Sequence, residues 1–229
     1  MTDLIQLAER FARERHQGQV RKGSAQEPYT VHLEDVVKFV QDQNGSEIEI
    51  CAAWLHDTVE DCPPTSFAEI ESIFGNEIAS VVKELTDDKN LDKNERKSLQ
   101  IVNASHKSPA ACLVKIADKT SNLKSIATSP PADWSYERRR DYVIWAAQVV
   151  NALAFKPPGA LQKFLLAVDQ AEIANANDCL PTRQAQNISL EVLSRRAKRL
   201  GASPEKTREF LANFLVGALE NGAYERGGH

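Results

Sequence analysis

Residues 46–61 read SEIEICAAWLHDTVED. The opening Ser46-Glu47-Ile48-Glu49 has the layout of a capping box, with a serine to accept a first-turn N–H and a glutamate to reach back. The apolar lead-in that follows, Cys51 to Leu55, suits a helix packed on all sides. Then come His56, Asp57, Glu60 and Asp61. At about 3.6 residues per turn, a helix continuing through this run sets His56 over Glu60 and Asp57 over Asp61 on one face. A histidine and three acids suit a core helix badly, because buried charge needs a partner. The stretch reads instead as a core helix that ends in a metal site, with a carboxylate pair beside it.

Working outward, the signals stay helical. Leu4, Leu7, Ala8 and Phe11 form one apolar stripe at helical spacing, and Leu33, Val36, Val37 and Val40 form another, broken at Asn44-Gly45. Cys62-Pro63-Pro64 ends the histidine-bearing helix. Ser66 to Glu69 reads as a second capping box, opening a short helix that stops at Gly75, and Asp92 to Glu95 resembles a third. Apolar positions predict further helices from Ala110 to Leu123 and from Tyr142 to Leu153. Beyond the break at Lys156-Pro157-Pro158-Gly159 they predict helices over Leu161 to Ile173, Ser189 to Leu200 and Glu205 to Leu219. Ser203-Pro204 supplies a cap and a first-turn proline for the last of these. No stretch alternates as a strand does, so the fold class is all-α.

The 229 residues are enough for one sizeable core with a helical appendage. A net charge of −4 argues against broad nucleic-acid binding, which needs a basic face, but leaves room for a local cationic pocket. No apolar run approaches the roughly 20 residues of a membrane span, and the N-terminus lacks a signal-peptide layout. Cys51, Cys62, Cys112 and Cys179 form no CxxC pair and read as free thiols. The expected setting is the cytoplasm, where they stay reduced.

Adjacent ligands on a helix diverge, so an ion held by His56 and Asp57 needs donors from elsewhere. The chain has five histidines: His16, His32, His56, His106 and His229. His32 begins a helix after a polar loop, and Asp118 lies among apolar Leu113, Val114, Ile116 and Ala117. Taken alone, His32 also reads as a capped surface histidine, and Asp118 as an ion-pair partner of Lys115 or Lys119. Together they complete the pattern H…HD…D, which points to a divalent metal. His16 and His106 read as structural or exposed.

The stretches RKGSAQEPYTVH, LHDTVED, LTDDK, ERK, LVKIADKTSNL and WAAQVV resemble the HD-domain hydrolase of the RelA/SpoT family. The resemblance is closest to its stand-alone members, the small alarmone hydrolases, and covers roughly residues 1 to 175. It implies an all-helical HD bundle and one Mn2+ held by His32, His56, Asp57 and Asp118. It also implies removal of the 3′-pyrophosphate from guanosine tetra- or pentaphosphate (ppGpp, pppGpp).

In this reading Glu60 and Asp61 orient and deprotonate the attacking water. The resemblance places Arg21 and Lys22 by the purine and Asn122 at the nucleotide sugar. It places Arg138 and Tyr142, one turn apart, at phosphate and nucleotide, and Lys119 fits a further phosphate contact. Arg138 also sits in the charge run Glu137 to Asp141, which reads equally as a solvated helix face.

One departure stands out. Where the family often has a bulky apolar residue after the aspartate and its basic neighbour, this chain has Thr120-Ser121, which leaves the pocket lining and base preference open. The expected division is a hydrolase at 1–178 and a C-terminal helical extension at 179–229. The extension's amphipathic helices suit packing on the core or a homo-oligomer contact. Competing readings are hydrolysis of adenosine alarmones or of the NADPH 2′-phosphate, and, from another class, an antitoxin-like binding protein.

Overall fold

The computed structural model describes residues 3–201 and Ser203. The helix expected over Glu205 to Leu219, with its proline start, lies outside the described residues. Among those described the chain is helical, with no strand, and only an isolated bridge between Val20 and Pro28 departs from this. The all-α expectation is met. No helix of the described residues is long and apolar enough to cross a membrane.

The chain divides into two compact units, Met1–Ala171 and Glu172–His229. In the first, α3 (Glu47–Leu55) is the central helix. Every residue from Ile50 to Leu55 is buried, as its all-round apolar sequence requires. It packs against α1 (Asp3–Arg15), α2 (Tyr29–Asp42), α6 (Asn76–Leu85) and α8 (Pro109–Thr128). Ala52 and Ala53, both fully buried, suit the close approach of these neighbours. Its capping box forms in full: Ser46 Oγ accepts from Glu49 N, and Glu49 accepts from Ser46 N.

α8 is buried without a gap from Ala111 to Ser121, polar residues included. Lys115 earns its place there by donating to the carbonyl of Leu85, at the C-terminal end of α6, 3.2 Å away. The first unit also holds α4 (Thr58–Asp61), α5 (Phe67–Phe74), α7 (Lys93–Val102), α9 (Tyr136–Ala152) and most of α10 (Pro158–Cys179), with a 3-10 turn at Asn103–His106. The second unit carries the end of α10 and α11 (Thr182–Arg199), joined by an ion pair between Arg195 and Glu172.

The structure corrects the reading in places. The helix from Ser46 does not run through to Asp61. It ends at Leu55 and restarts at Thr58, with His56 and Asp57 in the joint. Thr58 Oγ1 donates to the Leu55 carbonyl at 2.7 Å, and His56 Nδ1 lies 2.9 Å from the Ala53 carbonyl, so side chains take up acceptors in the last turn of α3. α6, to which no helix was assigned, follows Gly75 directly, and its stripe of Ile78, Val81, Val82 and Leu85 has helical spacing. Gly75, at φ +86°, joins two helices as well as ending one. The second capping box is half formed: Ser66 accepts from Glu69 N, but the Glu69 carboxylate pairs with Arg15 at 2.5 Å.

Candidate active site

Four side chains from three elements converge beside α3. His32 comes from the first turn of α2, His56 and Asp57 from the joint after α3, and Asp118 from the middle of α8. His32 Nε2 and His56 Nε2 face one another at 3.3 Å. Asp57 Oδ2 lies 2.9 Å from His56 Nε2 and 3.6 Å from His32 Nε2, and Asp118 Oδ1 lies 3.6 Å from His32 Nε2. His32, His56 and Asp118 each offer a ligand atom, all within 4.8 Å of one another. The alternatives of a surface histidine and a simple ion pair therefore fail for His32 and are incomplete for Asp118, whose Oδ2 does lie 3.1 Å from Lys119 Nζ.

Hydrogen bonding behind the rings orients them. His56 Nδ1 faces a carbonyl, which only accepts, so Nδ1 carries a proton. His32 Nδ1 lies 3.0 Å from Ser121 Oγ. Tyr29 donates to Asp57 Oδ2 at 2.6 Å, and Asn122 donates to Asp118 Oδ1 at 2.6 Å. Burial lowers the pKa of His32, whereas that of His56, although also burdened by burial, is raised to about 9 by the Asp57 charge and hydrogen bond. Against burial, the two imidazoles hold Asp57 well below the usual carboxylate range, and Lys119 and Lys115 hold Asp118 at about 2. The pocket draws positive charge to one point. Two imidazoles, each held at its other nitrogen, with Asp118 in the same 4.8 Å group and Asp57 against both rings, fit a first-row divalent ion.

Beside this cluster opens a cleft of about 870 Å³. Glu60 and Asp61 of α4 line it, with Arg21, Lys22, Asn122, Arg138 and Tyr142. The two acids differ. Glu60 accepts from Asp87 N at 3.0 Å and lies 3.6 Å from Arg96, while burial and the charges of Asp57, Asp87 and Asp61 raise its pKa to about 7. Asp61 pairs with Lys89. Arg21 is buried against α8, its guanidinium donating to Ser121 Oγ and Asn122 Oδ1, both at 3.2 Å. The loop after it is seated tightly: a Cβ on Gly23 would stand 2.3 Å from the Ser129 carbonyl oxygen.

Lys119 is not in the cleft wall. It is 4% exposed, with its ammonium against Asp118 and 4.4 Å from the Trp145 ring centroid. Arg138 lies over Trp134 at 4.6 Å and near Asp133 at 3.6 Å. The cleft also has a wall that the sequence reading did not single out, made of Arg96, Lys97, Trp134 and Trp145. Lys97 Nζ sits 4.9 Å from the Trp145 centroid. Its signal was Glu95-Arg96-Lys97, read only as part of a resemblance. His16 is buried, stacked on Tyr29 at 4.8 Å, and His106 is exposed.

Residues 8–147 match the HD domain family. The chain belongs to the HD-domain family. The chain is 43% identical over 152 residues to guanosine-3′,5′-bis(diphosphate) 3′-pyrophosphohydrolase MESH1 of Xenopus tropicalis, covering 66% of this chain and 84% of that protein. The human MESH1 protein matches with the same identity and coverage. The solved structure of a metazoan ortholog of SpoT that hydrolyzes ppGpp superposes with a TM-score of 0.71 at 35% identity. That match covers 74% of this chain and 96% of the other. The resemblance to the stand-alone RelA/SpoT-type hydrolases is thereby confirmed.

Proposed function

We propose that this chain hydrolyses the 3′-pyrophosphate of guanosine alarmones, ppGpp and pppGpp, giving GDP or GTP and pyrophosphate. Mn2+ is the ion we assign to His32, His56, Asp57 and Asp118. The observation that carries the reading is the pair of imidazole nitrogens 3.3 Å apart, set beside a cleft with both acids and cations in its walls. The pyrophosphohydrolase activity for which the MESH1 relatives are named supports it.

When bound, a divalent ion makes water a stronger acid and polarises a phosphoryl oxygen. The residues account for the rest. Glu60, with its pKa near 7, takes the proton from the attacking water, and Asp61 helps to orient that water. The water oxygen displaces the 3′-oxygen at phosphorus; the 3′-oxygen departs as the alcohol of GDP or GTP, taking the proton that Glu60 received, and the hydrolysed group is released as pyrophosphate. Arg138 and Lys97 offer charge to the phosphates, while Arg21, Lys22 and Asn122 form the wall beside the nucleoside. Lys119 supports Asp118 from behind the cleft.

Tyr142 and Trp134, rings 5.8 Å apart, offer aromatic faces that accept any purine. Stacking of that kind does not separate adenosine from guanosine, so adenosine alarmones stand as a second substrate class. We assign the hydrolase to residues 1–178 and treat 179–229 as a helical extension. The free cysteines suit a reducing cytoplasm. The test is incubation of purified protein with Mn2+ and, separately, ppGpp, an adenosine alarmone and NADPH. Pyrophosphate release from ppGpp is expected, and no release from any of the three would sink the enzymatic reading.

A further inference from the structure

Ser121 follows Asp118 by three residues on α8. It does not line the cleft: it is 2% exposed, and three polar groups meet at its hydroxyl. Arg21 Nη1 lies 3.2 Å away, Asp35 Oδ2 3.2 Å, and His32 Nδ1 3.0 Å. A serine hydroxyl has one proton to give and two lone pairs to accept with. Asp35, as a carboxylate, only accepts, so it takes the proton. Arg21 only donates, so it takes one lone pair. The remaining lone pair faces His32, which therefore donates from Nδ1, and His32 Nε2 is left bare.

That outcome is not what His32 would choose unaided. Its Nε2 lies 3.6 Å from carboxylate oxygens of both Asp57 and Asp118, which favour a proton on Nε2. We propose that Ser121 is the positioning residue for His32, fixing the tautomer that turns the Nε2 lone pair into the metal site and tying that ligand to Arg21 in the cleft wall. The inference rests on the reading of His32 as a metal ligand.

Titration calorimetry of the metal-stripped full chain with Mn2+ is the test, comparing native protein with Ser121→Ala and Ser121→Thr. Loss of a group that orients a ligand typically costs about 10- to 100-fold in metal affinity. Ser121→Ala should show that loss, and Ser121→Thr, which keeps the hydroxyl, should bind close to native. Long-range nitrogen–proton NMR of metal-free native protein should find the His32 proton on Nδ1, and Ser121→Ala should move it to Nε2. A folded Ser121→Ala that binds Mn2+ as tightly as native overturns the proposal. So does a proton on Nε2 in the native protein, which needs no variant to fold. If the native chain binds no Mn2+, the ligand reading falls and takes this one with it. If it binds Mn2+ but cleaves no nucleotide, only the proposed reaction fails.

Discussion

His32 and His56 present their Nε2 atoms to each other at 3.3 Å, and each ring has a polar partner at its other nitrogen. Rings held this way leave a concentrated demand for positive charge between two carboxylates. An ion that meets the demand binds the folded state and not the unfolded one.

Mn2+ should therefore raise the melting temperature. At a hundredfold excess over Kd the gain is about 2.7 kcal/mol. For a chain of this size that is a rise of roughly 5–10 °C. Differential scanning calorimetry of native protein and His56→Ala checks this. The variant should show little or no rise, and an equal rise in both would remove His56 from the ion's ligands.

Glu60 has its pKa raised to about 7 by burial and acidic neighbours, so its basic form gains population above that pH. Turnover should climb between about pH 6 and 8, and Glu60→Gln should cost roughly a hundredfold to ten-thousandfold in kcat while leaving Mn2+ binding intact. Stability has the opposite sign. In the metal-free protein the folded state keeps the proton up to about 7, whereas the unfolded state loses it near 4.5. The folded state binds more protons in that window, so native stability relative to Glu60→Gln should fall as pH rises through it. Chemical denaturation at pH 5 and pH 8 measures the difference.

Lys97 reaches the cleft from α7 with its ammonium over Trp145. A charge-assisted contact to phosphate is worth about 1.5–3 kcal/mol, so Lys97→Ala should raise KM about tenfold or more. Steady-state kinetics should show kcat much less affected. An unchanged KM would take Lys97 out of substrate binding.

Ser46 caps the end of the central helix opposite His56, and its box with Glu49 is complete. Ser46→Ala should cost about 1 kcal/mol of unfolding free energy. Urea denaturation measures it, and kcat should stay native.

The sequence carried the helices whose apolar stripes are regular, and it carried His32, His56, Asp57 and Asp118 as a set that folding brings together. It did not carry the joint at His56-Asp57. There two side chains compete for backbone carbonyls, and apolar periodicity is silent about such competition. α6 was legible in its own spacing and was lost because Gly75 was read only as a stop. The burial of Lys119 depends on Trp145, 26 positions further on. The aromatic and cationic wall depends on α7 and α9 meeting. Both are tertiary facts with no local signal.

The joint itself has a further consequence. The histidine-bearing end of the central helix and the four residues that carry the acid pair belong to separate helical segments, tied to each other through Thr58 and the Leu55 carbonyl. Under the proposed roles, ion retention and turnover are separately heritable. Changes confined to Glu60 and Asp61 would silence hydrolysis while leaving a shell that still grips its nucleotide, so the same frame holds a short evolutionary route from enzyme to receptor.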